Sequence, residues 1–132
     1  MLEFGLQSTR RIFFAGEKIT IFLENSSSFP EGRAFLRTNL GMAAVRRHEI
    51  INAVEKNQRP AGRDWHDLAL QKVSCCRFEL ELMLTETGVF ELKPFFAPSD
   101  RNAPILWGSG DNIKIKVAIS SITCCTHIHF NA

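Results

Sequence analysis

Apolar and polar residues alternate one for one in several short runs of this chain. A period of two fits a half-buried β-strand and does not fit a helix. From Glu17 to Glu24, Ile19, Ile21 and Leu23 share one face while Lys18 and Thr20 take the other, with Phe22 as the exception. From Arg77, the residues Phe78, Leu80, Leu82 and Leu84 alternate with Arg77, Glu79 and Glu81. After Thr85-Glu-Thr-Gly88 the alternation resumes, with Phe90 and Leu92 set against Glu91 and Lys93. This pattern predicts a hairpin with one buried face. A further strand is predicted after Gly108-Ser-Gly-Asp-Asn112, with Ile113, Ile115, Val117 and Ile119 inward and Lys114 and Lys116 outward. The turn-rich stretch from Asn25 to Arg33 leads to another short apolar segment, Ala34-Phe35-Leu36. Four or more such strands without a helix between successive pairs predict a mainly β, antiparallel sandwich and not an α/β sheet.

One segment departs from this period. Between Leu40 and about Lys56, Ala43, Ala44, Ile50, Ile51 and Val54 fall near a 3.6-residue spacing, opposite Arg46, Arg47, His48, Glu49, Glu55 and Lys56. Asn39 can cap the start and Asn57-Gln-Arg-Pro60 the end, so one inserted amphipathic helix is predicted over about 40–56. The length of 132 residues corresponds to one ordinary domain. Sixteen basic residues against fourteen acidic ones leave a formal charge of +2, too small to argue for nucleic acid or membrane as a partner. No apolar run reaches the roughly 18 residues of a membrane span. The N-terminus lacks the basic and apolar regions of a signal peptide, so a cytoplasmic location is expected.

Four cysteines stand as two adjacent pairs, Cys75-Cys76 and Cys124-Cys125, with His127 and His129 nearby in sequence. Zinc favours such ligands, but structural sites space paired cysteines by two residues or more. Neighbours on a strand point to opposite faces, so Cys76, sharing the parity of Phe78, is expected inward and Cys75 outward. No metal or cofactor is therefore assigned; a small thiol or zinc protein stays as the weakest reading. A Cys–His nucleophile would lack an orienting third group. No nucleophile elbow, phosphate loop, dinucleotide fingerprint or metalloprotease motif is present, and no catalytic residue is assigned. Glu79, Glu81 and Glu91 read as solvated acids of a sheet face. Arg46-Arg-His48 is balanced by Glu49 and Glu55 on the same predicted helix.

The most distinctive polar cluster is Arg63-Asp64-Trp65-His66-Asp67, to which Trp107 can be added. An indole ring offers a face on which the C–H side of a sugar can stack, and Asp64, His66 and Asp67 can hydrogen-bond sugar hydroxyls. The alternative for each tryptophan is an ordinary packing anchor in a core or between domains.

Four segments in order resemble the N-terminal region of bacterial glycogen-debranching proteins, which are glycoside hydrolases of the amylo-α-1,6-glucosidase or α-amylase-like kind. They are Gly32-Arg-Ala-Phe-Leu-Arg-Thr-Asn-Leu-Gly41, Arg46-Arg-His-Glu-Ile-Ile51, Arg63-Asp-Trp-His-Asp67, and the run from Phe78 to Lys93. The resemblance extends from about Phe14 to the end of the chain. It implies an immunoglobulin-like sandwich over residues 1–119 and a connector toward a catalytic domain over 120–132, where Thr123-Cys-Cys-Thr and Ile128 to Ala132 resemble the connector's start. It also implies two partners, an α-glucan such as glycogen and the catalytic domain of the same polypeptide, and it matches none of the family's catalytic acids to this chain. Cys75-Cys76 stands where the family pattern suggests a turn of the Asp-Gly kind. A purely structural or protein-interaction sandwich without sugar affinity is the alternative.

Overall fold

The structure, a computed structural model, describes residues 2–41 and 65–119. The predicted helix beyond residue 41, Asp64, Cys124, Cys125, His127, His129 and the predicted connector lie outside the described residues.

The described residues are mainly β, with no helix among them, and they form two sheets. In chain order the strands are β1 (Leu2–Leu6), β2 (Ile12–Phe14), β3 (Lys18–Asn25), β4 (Gly32–Thr38) and β5 (His66–Ala69). They continue with β6 (Gln71–Ser74), β7 (Arg77–Met83), β8 (Gly88–Pro98), β9 (Leu106–Trp107) and β10 (Ile113–Ala118). The first sheet has the order β1-β3-β7-β6. The second runs β2-β10-β8-β4-β5, with β9 also paired to β8. All pairs are antiparallel except β2 with β10, where Ile12 lies opposite Lys116 and Phe14 opposite Ala118.

The alternation read from sequence is what fills the space between the sheets. Ile19, Ile21 and Leu23 from one sheet meet Ala34, Leu36, Phe90, Leu92, Phe96, Ile113, Ile115 and Val117 from the other, all buried. Phe29, in the loop between β3 and β4, fills the end of this core. Its ring lies 4.9 Å from both Phe78 and Phe96, edge-on to the former. Thr38 is the one buried polar residue of the described core, and its hydroxyl is satisfied in both directions. It donates to the Glu91 carbonyl at 2.7 Å and accepts the Leu40 N–H at 3.1 Å. Gly108 permits a second inter-sheet contact, because a Cβ there would come within 2.2 Å of the Phe4 ring. Beside it, the Ser109 hydroxyl donates to the Leu2 carbonyl at 2.7 Å, fastening β1 to the segment that precedes β10.

The fold departs from the sequence expectation at three places. The predicted hairpin of Arg77 to Leu84 with Phe90 to Lys93 does not form: β7 belongs to the first sheet and β8 to the second. Leu84 stays with the first sheet, its N–H bonded to the Glu17 carbonyl at 2.8 Å and its own carbonyl to the Gly16 N–H at 2.7 Å. The chain then crosses the sandwich before Gly88. Ile119, predicted inward, is largely exposed, because β10 ends at Ala118. Cys76, expected in the core by its parity with Phe78, is only half-buried. It sits with the exposed Cys75 in a tight turn between β6 and β7, where strand alternation does not apply.

The turn into β3 carries a pH-dependent device. The Glu17 carboxylate accepts two hydrogen bonds from the Arg10 guanidinium, each 2.8 Å, and one from the Phe14 N–H at 2.6 Å. Arg10 first, then this backbone bond, holds the Glu17 carboxyl below the usual carboxylate range. A lowered folded-state pKa adds stability that is present above the unfolded-state value and lost as pH falls through the folded one. Urea midpoints measured from neutral pH down to about pH 3 are expected to fall more steeply for the natural chain than for Glu17→Gln. Identical slopes would show that the contact has no such role.

Candidate functional site

The outer face of the second sheet gathers the chemistry. On β4, Ala34, Leu36 and Thr38 point into the core, so Phe35 and Arg37 point outward. Antiparallel register then places Arg37 between Asp67 on β5 and Lys93 on β8, and Phe35 between Ala69 and Phe95. Trp107 on β9 stands opposite Phe95 on its other side.

The rings form a continuous strip. Phe35 stacks on Phe95 at 5.5 Å between centroids, and Phe95 meets Trp107 at 4.8 Å. The Arg37 guanidinium lies 5.3 Å from the Phe95 ring centre and 5.2 Å from that of Trp107. Asp67 holds it there in a two-pronged pair, receiving Nε at 2.9 Å and a terminal nitrogen at 3.1 Å. The hydrogen bond to Asp67 raises the guanidinium pKa further, so Arg37 is a fixed cation. The pair is half-exposed, so its contribution is orientation more than stability.

Trp65, immediately before β5, completes an open cleft of about 220 Å³ lined with Arg37, Lys93, Trp107 and Asn112. Trp65 is 38% and Trp107 41% exposed, so both residues are partly open to solvent. Lys93 donates from Nζ to the Gly110 carbonyl at 2.7 Å. Asn112 donates its amide to the Glu91 carboxylate at 3.0 Å. A polar depression of about 700 Å³, lined by Glu91, Gly110, Asp111 and Lys114, continues from the first through the shared Lys93 and Asn112. An aromatic floor thus runs into a field of amide, ammonium and carboxylate groups.

Of the residues singled out from sequence, Trp65, Asp67 and Trp107 come together on this face, Asp67 acting through Arg37. His66 does not join them. It lies opposite the buried Thr38, and its Nε2 is 2.5 Å from the Leu40 carbonyl, where it secures the end of β4. Sequence reasoning missed Arg37, Lys93, Phe95 and Asn112. The signal for the first three was parity, since Phe35-x-Arg37 and Lys93-x-Phe95 occupy the outward positions of strands whose inward residues are plainly apolar. Among the described residues, no three His, Cys, Asp or Glu side chains converge as a metal ion would require. Also among these residues, no helix is long and apolar enough to cross a membrane.

No protein-family model matches the chain, and no curated protein matches it either.

Proposed function

We propose that this chain is a noncatalytic carbohydrate-binding sandwich that stacks an α-glucan on Trp65 and Trp107. The observation that carries the reading is the pairing of two half-exposed indoles in one cleft with donors from Arg37, Lys93 and Asn112. A neutral sugar polymer needs apolar faces for its C–H surfaces and fixed hydrogen-bonding groups for its hydroxyls, and both occur here. The rigid Arg37–Asp67 pair keeps the aromatic strip in place without calling on the ligand to order it. By its resemblance to the N-terminal region of glycogen-debranching proteins, such a module would precede a glycoside hydrolase domain of the same polypeptide and present glycogen to it in the cytoplasm.

The strand order supports an immunoglobulin-like sandwich. The sheet β1-β3-β7-β6 corresponds to that fold's A-B-E-D sheet, and β10-β8-β4 to its G-F-C sheet, with β5 as an added strand beside β4.

Native electrophoresis through gels containing glycogen tests the binding. The natural chain is expected to be retarded, and Trp65→Ala and Trp107→Ala each to recover most of the mobility seen without glycogen. Unchanged mobility of the natural chain would end the sugar-binding reading. A scaffold reading would then stand on another part of the same outer face: the exposed Ile12 and Val89 flank Lys116 on β10, and the exposed Ile119 follows that strand. Exposed apolar side chains of this kind suit packing against another domain.

A further inference from the structure

Cys75 and Cys76 lie in the turn that joins β6 to β7, in the sheet that does not carry the aromatic cleft. Their sulfurs are 3.3 Å apart and both thiols are free, with Cys75 exposed. The turn also serves as an anchor. The Cys76 carbonyl accepts the Asn25 N–H at 2.9 Å, and the Cys75 carbonyl accepts the Phe29 N–H at 2.8 Å. Through these two bonds the cysteine peptide fixes the loop whose Phe29 side chain packs on Phe78 and Phe96 in the core.

We infer that Cys75 and Cys76 form a reversible redox site, oxidised by a hydroperoxide to a vicinal disulfide, whose closure loosens the Asn25 to Phe29 loop. In the first step the Cys75 thiolate attacks the peroxide oxygen. The O–O bond breaks, the sulfur becomes a sulfenic acid, and the departing hydroxide (or alkoxide) takes up a proton as water or alcohol. In the second, the Cys76 sulfur attacks the Cys75 sulfenic acid; the S–O bond breaks, the S–S bond forms, and water leaves with the thiol proton. Two thiols and one hydroperoxide yield one disulfide, one water and one water or alcohol.

The roles follow from position. Cys75 is the more exposed of the two and has the lower thiol pKa, held down first by a hydrogen bond with Ser28 and then by Cys76, with Lys72 adding a favourable charge. Cys76 is half-buried and its thiol is shifted upward, mainly by its hydrogen bond with Cys75, which suits the resolving partner. Adjacent Cα atoms are about 3.8 Å apart across a trans peptide, shorter than the roughly 4.4–6.8 Å of ordinary disulfides. Closing the ring must therefore distort the 75–76 peptide, which carries the Cys75 carbonyl that holds Phe29 and adjoins the peptide whose Cys76 carbonyl holds Asn25. Strain also makes the bond easy to reduce, as a reversible site requires.

The test uses the full chain treated with hydrogen peroxide, then trypsin, with mass spectrometry of the fragment spanning residues 73–77. The expected result is the loss of two hydrogens from that fragment, restored by dithiothreitol, together with faster amide hydrogen exchange at Asn25 and Phe29 in the oxidised chain. Cys76→Ser is expected to leave a Cys75 sulfenic acid that dimedone captures, whereas Cys75→Ser gives no capture at residue 76. Two free thiols in the fragment after peroxide, or a disulfide joining it to another fragment, would overturn the site. Unchanged exchange at Asn25 and Phe29 on oxidation would overturn the coupling to the loop.

Discussion

Phe96→Ala is expected to destabilise the domain by about 3–5 kcal/mol, the range for removing a buried phenylalanine ring. Phe96 is fully buried on β8 and forms part of a three-ring cluster, 4.9 Å from Phe29 and 5.9 Å from Phe78. These rings come from the second sheet, the loop between β3 and β4, and the first sheet, so the cavity would open where the two layers and their connection meet. Little can collapse into it, because Phe29 is fixed by the Cys75 carbonyl and Phe78 by the pairing of β7 with β3. Against a typical net stability of about 5–15 kcal/mol, the variant would be marginal or unfolded at physiological temperature. Urea unfolding is the measurement, with a lowered midpoint and an unchanged slope as the expected signature. A loss below about 1 kcal/mol would show that the cluster relaxes around the gap.

Gly32→Ala is expected to cost at least the roughly 1–3 kcal/mol of an overpacked core position, for a reason that no side-chain adjustment removes. Gly32 begins β4 directly opposite Pro98 of β8. A Cβ built there falls 2.4 Å from the Ala97 carbonyl oxygen, 2.6 Å from the Phe96 ring and 2.9 Å from the Pro98 Cα. The ring could turn away, but the two backbone atoms could move only by parting β4 from β8. Both strands belong to the sheet that carries the aromatic cleft, so the separation would also disturb Phe35 against Phe95. In a Phe96→Leu background the obstructing ring atom is gone and the backbone obstacle remains, so Gly32→Ala should still lower the urea midpoint. If it became neutral there, the backbone contact would not be the cause.

The strands were legible because burial of one face forces a period of two, and the buried sets of β3 and β10 are those the alternation of Ile19-x-Ile21-x-Leu23 and Ile113-x-Ile115-x-Val117 indicates. Partnership was not legible. Alternation records which face is covered and is silent about which neighbour covers it, so Leu84 to Gly88 read as a hairpin turn although it passes between layers. The same limit governs the cleft. Trp65, Asp67 and Trp107 draw notice as unusual residues in sequence, whereas Arg37 and Lys93 become part of the site only through the register that sets Asp67, Arg37 and Lys93 side by side. His66 was grouped with its neighbours because it is adjacent to them, yet adjacency on a strand is what sends it to the opposite side. At Cys75-Cys76 the family pattern suggested a turn, while parity with Phe78 suggested a continuing strand; the tight turn prevails.

The parallel pairing of β2 with β10 has a consequence for synthesis. Ile12 to Phe14 emerge from the ribosome early, and their partners Lys116 to Ala118 are among the last described residues to be made. Until then β8 lacks its neighbour along Gly88 to Leu92, and that stretch of its backbone stays an unsatisfied edge. Contacts this distant in sequence form slowly, since the intervening chain must lose its freedom before they hold. Translation that stalls before Ile113 would therefore leave a product prone to strand-to-strand aggregation, because the strand that covers the β8 edge has not yet been made.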